Sequence, residues 1–217
     1  MHASTRRAIG AVVAAIGIIL VVVGSWVVVK LGPSGEAQFS ATSKAPGAVV
    51  VPPDVLNSVD GQVRVDATRR DGGLVRLVVA PSTDARAMLS TSAVSTVAAA
   101  HYPSGTLDLH PSGTGELADV STSDVWRLAA KGAGTAELVV DQARAPETVV
   151  ITSGDATALA DVTVSLTWAD RAWFFEALAA ATLGAVLTAF ALIDLWQGRD
   201  LAARRVAAKT ATTKEMA

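Results

Sequence analysis

The chain has 217 residues, of which 51% are hydrophobic and 18% are charged, and its formal net charge is −2. An ordinary soluble domain is roughly one quarter charged, so the composition indicates apolar segments beyond a normal core. The chain contains no cysteine, which excludes disulfides, a thiol nucleophile, a thiolate metal site and lipidation on cysteine.

The first predicted element is a transmembrane helix at residues 8–29, which follows a cytoplasmic stub at residues 1–7. These 22 residues contain no charged side chain, and a helix needs roughly 20 apolar residues to cross a bilayer. A cleaved signal peptide has a shorter apolar core, with a small-x-small cleavage site directly after it. The nearest such site, Gly35-Glu36-Ala37, lies several residues beyond the apolar run, which favours a helix that is retained.

A linker is predicted at residues 30–47, because this stretch is rich in Gly, Ser, Ala and Pro. Short runs of alternating apolar residues follow and predict an extracytoplasmic β domain at residues 48–170. Residues 93–102 fit a strand or a helix, and their valine spacing favours a strand. The expected fold is an antiparallel, β-sandwich-like domain of six to eight strands. The other strand candidates are residues 62–67, 74–79, 125–130, 136–140, 147–152 and 162–168.

Two glycine-containing segments predict β-hairpin turns, at residues 69–73 (RRDGG) and 131–134 (KGAG). Asp-Gly and Gly-Gly pairs tolerate the positive φ angles that tight hairpins need. One short helix is predicted after Pro81, with Ser82 or Thr83 as its N-cap.

A second transmembrane helix is predicted at residues 171–196, followed by a basic cytoplasmic tail at residues 197–217. Residues 200–209 are expected to extend the helix by one or two turns, and residues 210–217 to be disordered. Between residues 31 and 170 there are 9 basic and 16 acidic residues, whereas both ends of the chain are basic. The positive-inside rule therefore places both termini in the cytoplasm and the central domain outside the plasma membrane.

The positions of aromatic residues agree with the predicted ends of the two membrane helices, because tryptophan prefers the membrane interface. Trp26 lies near the outer end of the first helix, and Trp196 marks the inner end of the second. The outer end of the second helix is expected to carry Trp168, Trp173, Phe174 and Phe175.

Both predicted membrane helices carry a heptad-like stripe of small residues. Small residues let two helix backbones approach closely in lipid, and a spacing of 3.5 residues favours a left-handed crossing. The two stripes could pair as an antiparallel hairpin, or one of them could face a larger membrane partner. The stripe residues are Gly10, Ala14, Gly17 and Gly24 in the first helix, and Ala177, Ala181, Gly184, Thr188 and Ala191 in the second.

Acidic residues in a membrane helix are candidates for a transport pathway. Glu176 and Asp194 are separated by 17 residues without a charge. Both can therefore reach an interface, and a transporter is disfavoured.

The residues of the central domain form no catalytic motif. There is no G-x-S-x-G elbow, phosphate-binding loop, dinucleotide fingerprint or calcium loop. His101, Asp108 and His110 could converge as a metal site for hydrolysis, but without a fixed-spacing motif they are better interpreted as exposed loop residues. No metal, cofactor or catalytic residue is predicted. Nucleic acid binding is disfavoured, because Arg69-Arg70 is the one basic cluster in an acidic domain.

Trp126 is the one tryptophan of the central domain away from the predicted helices. It lies in a strand-like run between turn residues. This position favours a core anchor, and the alternative is a residue that stacks on a ligand at the surface.

The layout as a whole resembles a group of two-span actinobacterial envelope proteins of unknown function. The features that carry this resemblance are the basic stub, the VPP entry at residues 51–53, the SDVW segment at residues 123–126 and the basic tail. The resemblance implies a two-span envelope protein and supplies no activity or site residues.

These observations favour a non-enzymatic integral membrane protein that presents a β domain to the cell envelope. Its expected role is an accessory or scaffolding subunit of a larger membrane complex, in contact with the lipid bilayer and a membrane-protein partner. The sequence also leaves open whether the protein forms homo-oligomers. The alternative is an envelope module that binds or senses a wall glycan, a lipid or a peptide, and a metal-assisted hydrolase is less favoured.

Overall fold

The computed structural model describes residues 3–117, 120, 123–141, 146–153 and 159–215, without the side chains of residues 3–7, 195 and 198–215. The chain divides into two compact units. One consists of residues 1–35 and 171–217 and is helical. The other consists of residues 36–170 and is mainly β.

The helical unit contains two long helices, α1 (Ala3–Leu31) and α4 (Arg171–Glu215). Both contain the runs that were predicted as helices. Helix α4 continues to Glu215, so the expectation that residues 210–217 are disordered is wrong for residues 210–215. Alanine and arginine are the commonest residues between 200 and 209 and have high helix propensity, which agrees with a helix that continues beyond the apolar segment.

The β unit has ten strands and two short helices within the described residues, α2 (Pro53–Leu56) and α3 (Ser82–Met88). The strands are β1 (Glu36–Ser43), β2 (Ala48–Val51), β3 (Gln62–Arg69), β4 (Leu74–Pro81), β5 (Val94–His101), β6 (Thr106–Ser112), β7 (Leu128–Ala133), β8 (Thr135–Asp141), β9 (Glu147–Ser153) and β10 (Val162–Ala169).

The ten strands form a single sheet in the order β7-β4-β9-β2-β5-β6-β1-β10-β3-β8. Most neighbours are antiparallel, while β1–β6 and β2–β5 are parallel. The two edge strands, β7 and β8, are consecutive in the chain and are separated by Gly134 alone. The sheet therefore curls until it nearly closes into a barrel. The prediction of a mainly-β domain is confirmed, whereas the prediction of six to eight strands in an antiparallel sandwich is wrong, because the described residues form one ten-stranded sheet with two parallel pairs.

The segment predicted as a linker contains strand β1, so the linker prediction is wrong for residues 36–43. Strand β1 pairs with β10 along its full length. Phe39 is buried, whereas Gln38 and Thr42 on the opposite face are exposed. This alternation is not apparent in the sequence, because β1 is rich in Ser and Ala and has few large apolar residues.

Both predicted hairpins are wrong in their pairing, and the predicted turn at residues 131–134 is reduced to Gly134, because residues 131–133 belong to strand β7. Strand β3 pairs with β10 and β8, and β4 pairs with β9 and β7. The two turns instead bond to each other, because Gly134 N donates to Gly73 O at 2.9 Å and Arg69 N donates to Gly134 O at 2.8 Å. Gly72 and Gly134 have φ angles of 72° and 74°, which explains why glycine stands there.

Helix α3 confirms the short helix predicted after Pro81, but its cap differs from the prediction. Pro81 occupies the N-cap position, and no side chain bonds the free N–H groups. The Ser82 hydroxyl donates to Pro146 O at 3.0 Å instead. Neither Ser82 nor Thr83 is the cap.

The largest fully buried side chain in the described residues is that of Trp168, which is 1% exposed. Its ring meets that of Phe39 edge to face, with centroids 5.5 Å apart, and its Nε1 donates to Leu56 O at 3.4 Å. The placement of Trp168 at a membrane interface is therefore wrong. Residue 168 belongs to the inward-facing set of β10, with Val162, Val164 and Leu166.

Candidate functional site

The two long helices pack against each other through the small residues of both stripes. A Cβ atom at Gly17 would lie 2.8 Å from Gly184 O, and one at Gly24 would lie 2.8 Å from Ala177 O. Contacts this short leave no room for a side chain. Since Gly17 faces residue 184 and Gly24 faces residue 177, the helices run antiparallel.

The rest of the stripes lies along the same interface. Gly10, Ala14 and Ala191 are buried, while Ala181 and Thr188 are half-buried. The Thr188 hydroxyl donates to Gly184 O of its own helix at 2.8 Å, so its hydrogen bond is satisfied at the contact. The structure thus brings the nine stripe residues together within one chain.

The outer surface of this helical unit is apolar. Two 24-residue segments, Ala8–Leu31 and Arg171–Asp194, are long and apolar enough to cross a membrane. Large side chains there point away from the partner helix. Those at least half exposed include Val12, Ile19, Val22, Val29, Phe175, Leu183, Phe190 and Leu192, and Trp196, which follows the second segment, is exposed as well.

Glu176 and Asp194 of α4 lie near the ends of its apolar segment, as their spacing predicts. Glu176 is exposed and Asp194 is half-buried. No charge lies in the 17 residues between them. This arrangement offers no polar path along the helix.

Trp126 packs on a second, smaller core on the outside of the sheet. Its side chain is half-buried, and its Nε1 donates to Val120 O at 2.6 Å. The position agrees with a packing role better than with an open stacking platform. The buried members of this cluster are Ala48, Val78, Ala80, Ala85, Leu89 and Val150.

His101 and Asp108 do meet, at the ends of β5 and β6. His101 Nε2 lies 2.7 Å from Asp108 Oδ2, with both side chains about half exposed. The hydrogen bond from His101, more than the nearby charges, holds the pKa of Asp108 below its ordinary value. His110 lies on the same face of β6 but does not complete a metal site, because no group of three His, Asp or Glu side chains in the described residues could hold a metal ion.

An exposed aromatic residue next to this pair has no counterpart in the sequence predictions. Tyr102 follows His101 and is 51% exposed, while Phe39 and Trp168 are buried and Trp126 is half-buried. Tyr102 is the sole tyrosine of the chain. Its position in the turn-forming segment YPSG is the signal that could have indicated a surface site.

A carboxylate pair lies on the outer face of β3 and β8. Asp66 stands directly opposite Glu137, and Arg64 Nε lies 3.2 Å from Glu137 Oε1. Burial, and next the charge of Glu137, raises the pKa of Asp66, whereas Arg64 opposes this effect.

An open depression of 340 Å³ lies at the β3–β4 turn, lined by Arg69, Arg70, Asp71, Ala160 and Asp161. The guanidinium of Arg69 is occupied there, because it bonds both carboxylate oxygens of Asp71 and the carbonyl of Leu74. These bonds hold the pKa of Asp71 below its ordinary value. The arginine therefore stabilises the turn and is not available to a ligand.

No family model and no curated protein matches this chain. Among solved structures, a pilus protein of Bacillus endospore appendages is similar at 15% identity over 62% of this chain and 84% of that chain, with a TM-score of 0.28. The flagellar cap protein of Escherichia coli is similar at 9% identity over 83% of this chain and 70% of that chain, with a TM-score of 0.20. TM-scores this low do not indicate a shared fold.

Proposed function

We propose that this is a non-enzymatic membrane protein that crosses the bilayer twice and presents its β domain outside the cytoplasm. The observation that carries the proposal is the helical unit itself. Its small residues are used in the internal contact, and its large apolar side chains point outward. In water such a surface would be unfavourable, whereas lipid tails are its natural surroundings.

The proposed orientation rests on charge. The segment between the two helices has a balance of −7, from 9 basic and 16 acidic residues, and the chain ends are basic. Basic residues stay on the cytoplasmic side. The resemblance of the chain to two-span actinobacterial envelope proteins is consistent with this arrangement, and membership of that group is part of the proposal.

The role that we propose within the membrane is an accessory or scaffolding subunit of a larger complex. The small residues of the two helices pack against each other, and residues 177–193 of α4 carry no charge, so the helices do not form an ion pathway by themselves. Their exposed apolar faces remain available to a partner helix. The β domain is connected to them by short segments, residues 32–35 at one end and Asp170 at the other.

The test is isolation of the protein from native membranes in mild detergent, followed by cross-linking and mass spectrometry. A single stoichiometric membrane-protein partner is the expected result. A variant with Leu183→Ala and Phe190→Ala should release that partner, because both side chains are more than half exposed on α4. Recovery of the protein alone would contradict the subunit role and favour a free-standing envelope module.

A further inference from the structure

Glu176 is an acidic side chain on the outer surface of the helical unit. It is exposed, and within the part of the chain that the structure describes it makes no hydrogen bond or ion pair. Acidic residues in membrane helices are rare, and they almost always face the interior of a bundle or pair with another group. An outward-facing glutamate without a partner is therefore a feature that the helix pair alone does not explain.

The antiparallel helix contact fixes the depth of Glu176 along the helical unit. Gly24 lies against Ala177, so the next residue of α1, Ser25, is level with Glu176. Ser25 lies four residues before Val29, where the charge-free run of α1 ends, and four helical residues span about 6 Å. The Cα atom of Glu176 therefore lies about 6 Å inside the apolar band that the neighbouring helix defines.

Glu176 shares one face of α4 with two large apolar side chains. Leu183 and Phe190 follow it at intervals of seven residues, which is close to two full helical turns, and they are 55% and 69% exposed. The adjacent face of α4 packs against α1 through Ala177 and Gly184. Glu176, Leu183 and Phe190 therefore form an outward line along α4, the acidic ridge.

We propose, on the basis of the two-span subunit role proposed above, that the acidic ridge binds a transmembrane helix of the partner protein that carries an arginine or lysine opposite Glu176. A cation is the complement of a lone carboxylate, and their attraction is stronger in surroundings of low dielectric constant than in water. The remainder of this partner helix is apolar, to match Leu183 and Phe190. The Glu176 side chain points towards the start of α4, so the pair forms near the outer interface, which long basic side chains also reach.

A second copy of this chain is a poorer complement to the acidic ridge. In the same bilayer the second copy has the same depth, and its residue level with Glu176 on α1 is the neutral Ser25. Its nearest cations are Lys30 and Arg171. Both lie five residues closer to the outer end, which is about 7.5 Å along the helix axis.

The experiment places the photo-reactive residue p-benzoylphenylalanine at position 190 of the full-length protein in native membranes. Illumination should link this position to one membrane protein, and mass spectrometry identifies the cross-linked peptide. Glu176→Gln should lower the yield of this product at least roughly threefold, which is the size of an average polar contact between membrane helices. Glu176→Asp keeps the charge and should retain more of the product than Glu176→Gln does.

Two matched controls separate the ridge from general effects. The photo-reactive residue at Leu192, which is 57% exposed on the other flank of α4, should not give the product. Glu36→Gln removes an exposed carboxylate from the β unit and should leave the yield unchanged. Immunoblotting of the membranes shows that each variant is present at the same level.

A charge exchange completes the test. Glu176→Lys should abolish the product, and replacement of the partner's basic residue by glutamate should restore it. An unchanged yield in Glu176→Gln, or a partner peptide without a basic residue opposite Glu176, would overturn the inference and leave the subunit role intact. A cross-link between two copies of this chain, or no protein product at all, would also overturn it. Recovery of a stoichiometric partner from detergent then shows whether the subunit role survives.

Discussion

Replacing Gly184 by alanine should separate the two long helices. A Cβ atom at this position would lie 2.6 Å from Gly17 O, 2.7 Å from Leu20 Cβ and 2.8 Å from Val21 N. Ordinary contacts need about 3.5 Å, so the helices must part locally by about 0.7–0.9 Å, and a gap of this size forfeits about a quarter to a half of the contact energy across it. Overpacking of this kind costs about 1–3 kcal/mol.

The sign of the effect distinguishes helix packing from helix propensity. Alanine is a better helix former than glycine by about 0.8–1.0 kcal/mol, so an unpaired helix would be stabilised by the same substitution. A loss of stability would therefore measure the interhelical contact. Ala185→Val is the matched control, because it adds bulk at the next position, which is exposed.

The assay uses the absence of native cysteine. Ile9→Cys and Ile193→Cys, two positions that are 50% exposed and that the antiparallel pairing places at the same end of the helical unit, carry a donor and an acceptor dye. Energy transfer between the two dyes is measured as SDS is added. Gly184→Ala should lower the midpoint SDS concentration, and Ala185→Val should not. An unchanged or higher midpoint for Gly184→Ala, or an equal drop in both variants, would refute the packing.

Three further predictions concern the β unit. Thr152→Val should raise the free energy of unfolding by about 1–2 kcal/mol, because Thr152 Oγ1 is buried without a hydrogen-bond partner in the described residues. Chemical denaturation measures this free energy. A loss of stability would show that the Thr152 hydroxyl makes a hydrogen bond in the folded protein. Trp168→Ala should lower the same quantity by about 3–5 kcal/mol, and a loss below about 1 kcal/mol would contradict its role as the core anchor. Asp66→Asn should raise the free energy of unfolding at pH 7, because the raised pKa of Asp66 means that ionisation of its carboxyl group opposes folding. This gain should disappear below about pH 3.8, where the carboxyl group is protonated in both the folded and the unfolded state. A gain that is independent of pH would point to another cause.

The helices could be predicted from the sequence because their signal is local. Residues 8–29 and 171–196 are recognised by length and absence of charge alone, and the spacing of Gly17, Gly24 and Gly184 indicates a close contact. Strands β3, β4, β8, β9 and β10 are likewise visible as alternating runs.

The pairing of strands could not be predicted, because it depends on contacts between distant residues. The RRDGG turn at residues 69–73 has the local chemistry of a hairpin, yet β3 finds its neighbours in β10 and β8. Strand β1 was missed because few of its inward-facing residues are large. Trp168 was placed at a membrane interface from its position beside α4, whereas the register of β10 directs it into the core.

The β5–β6 turn was only partly accessible to sequence reasoning. Asp108 and His110 are two residues apart, and this spacing places them on one face of a strand, so they could be singled out from the sequence. The bond between His101 and Asp108 arises from the pairing of β5 with β6. The exposure of Tyr102 follows from its place in the turn-forming segment YPSG, which is the local signal for it in the sequence.

The central claim is that the chain crosses the membrane twice with its β domain outside. Single cysteines in the cysteine-free chain test it directly, with a membrane-impermeant maleimide applied to intact cells. Thr83→Cys, an exposed position in α3, should be labelled at once, whereas Ser4→Cys in the N-terminal stub should be labelled only after lysis. Labelling of Ser4→Cys in intact cells, or protection of Thr83→Cys, would contradict the topology.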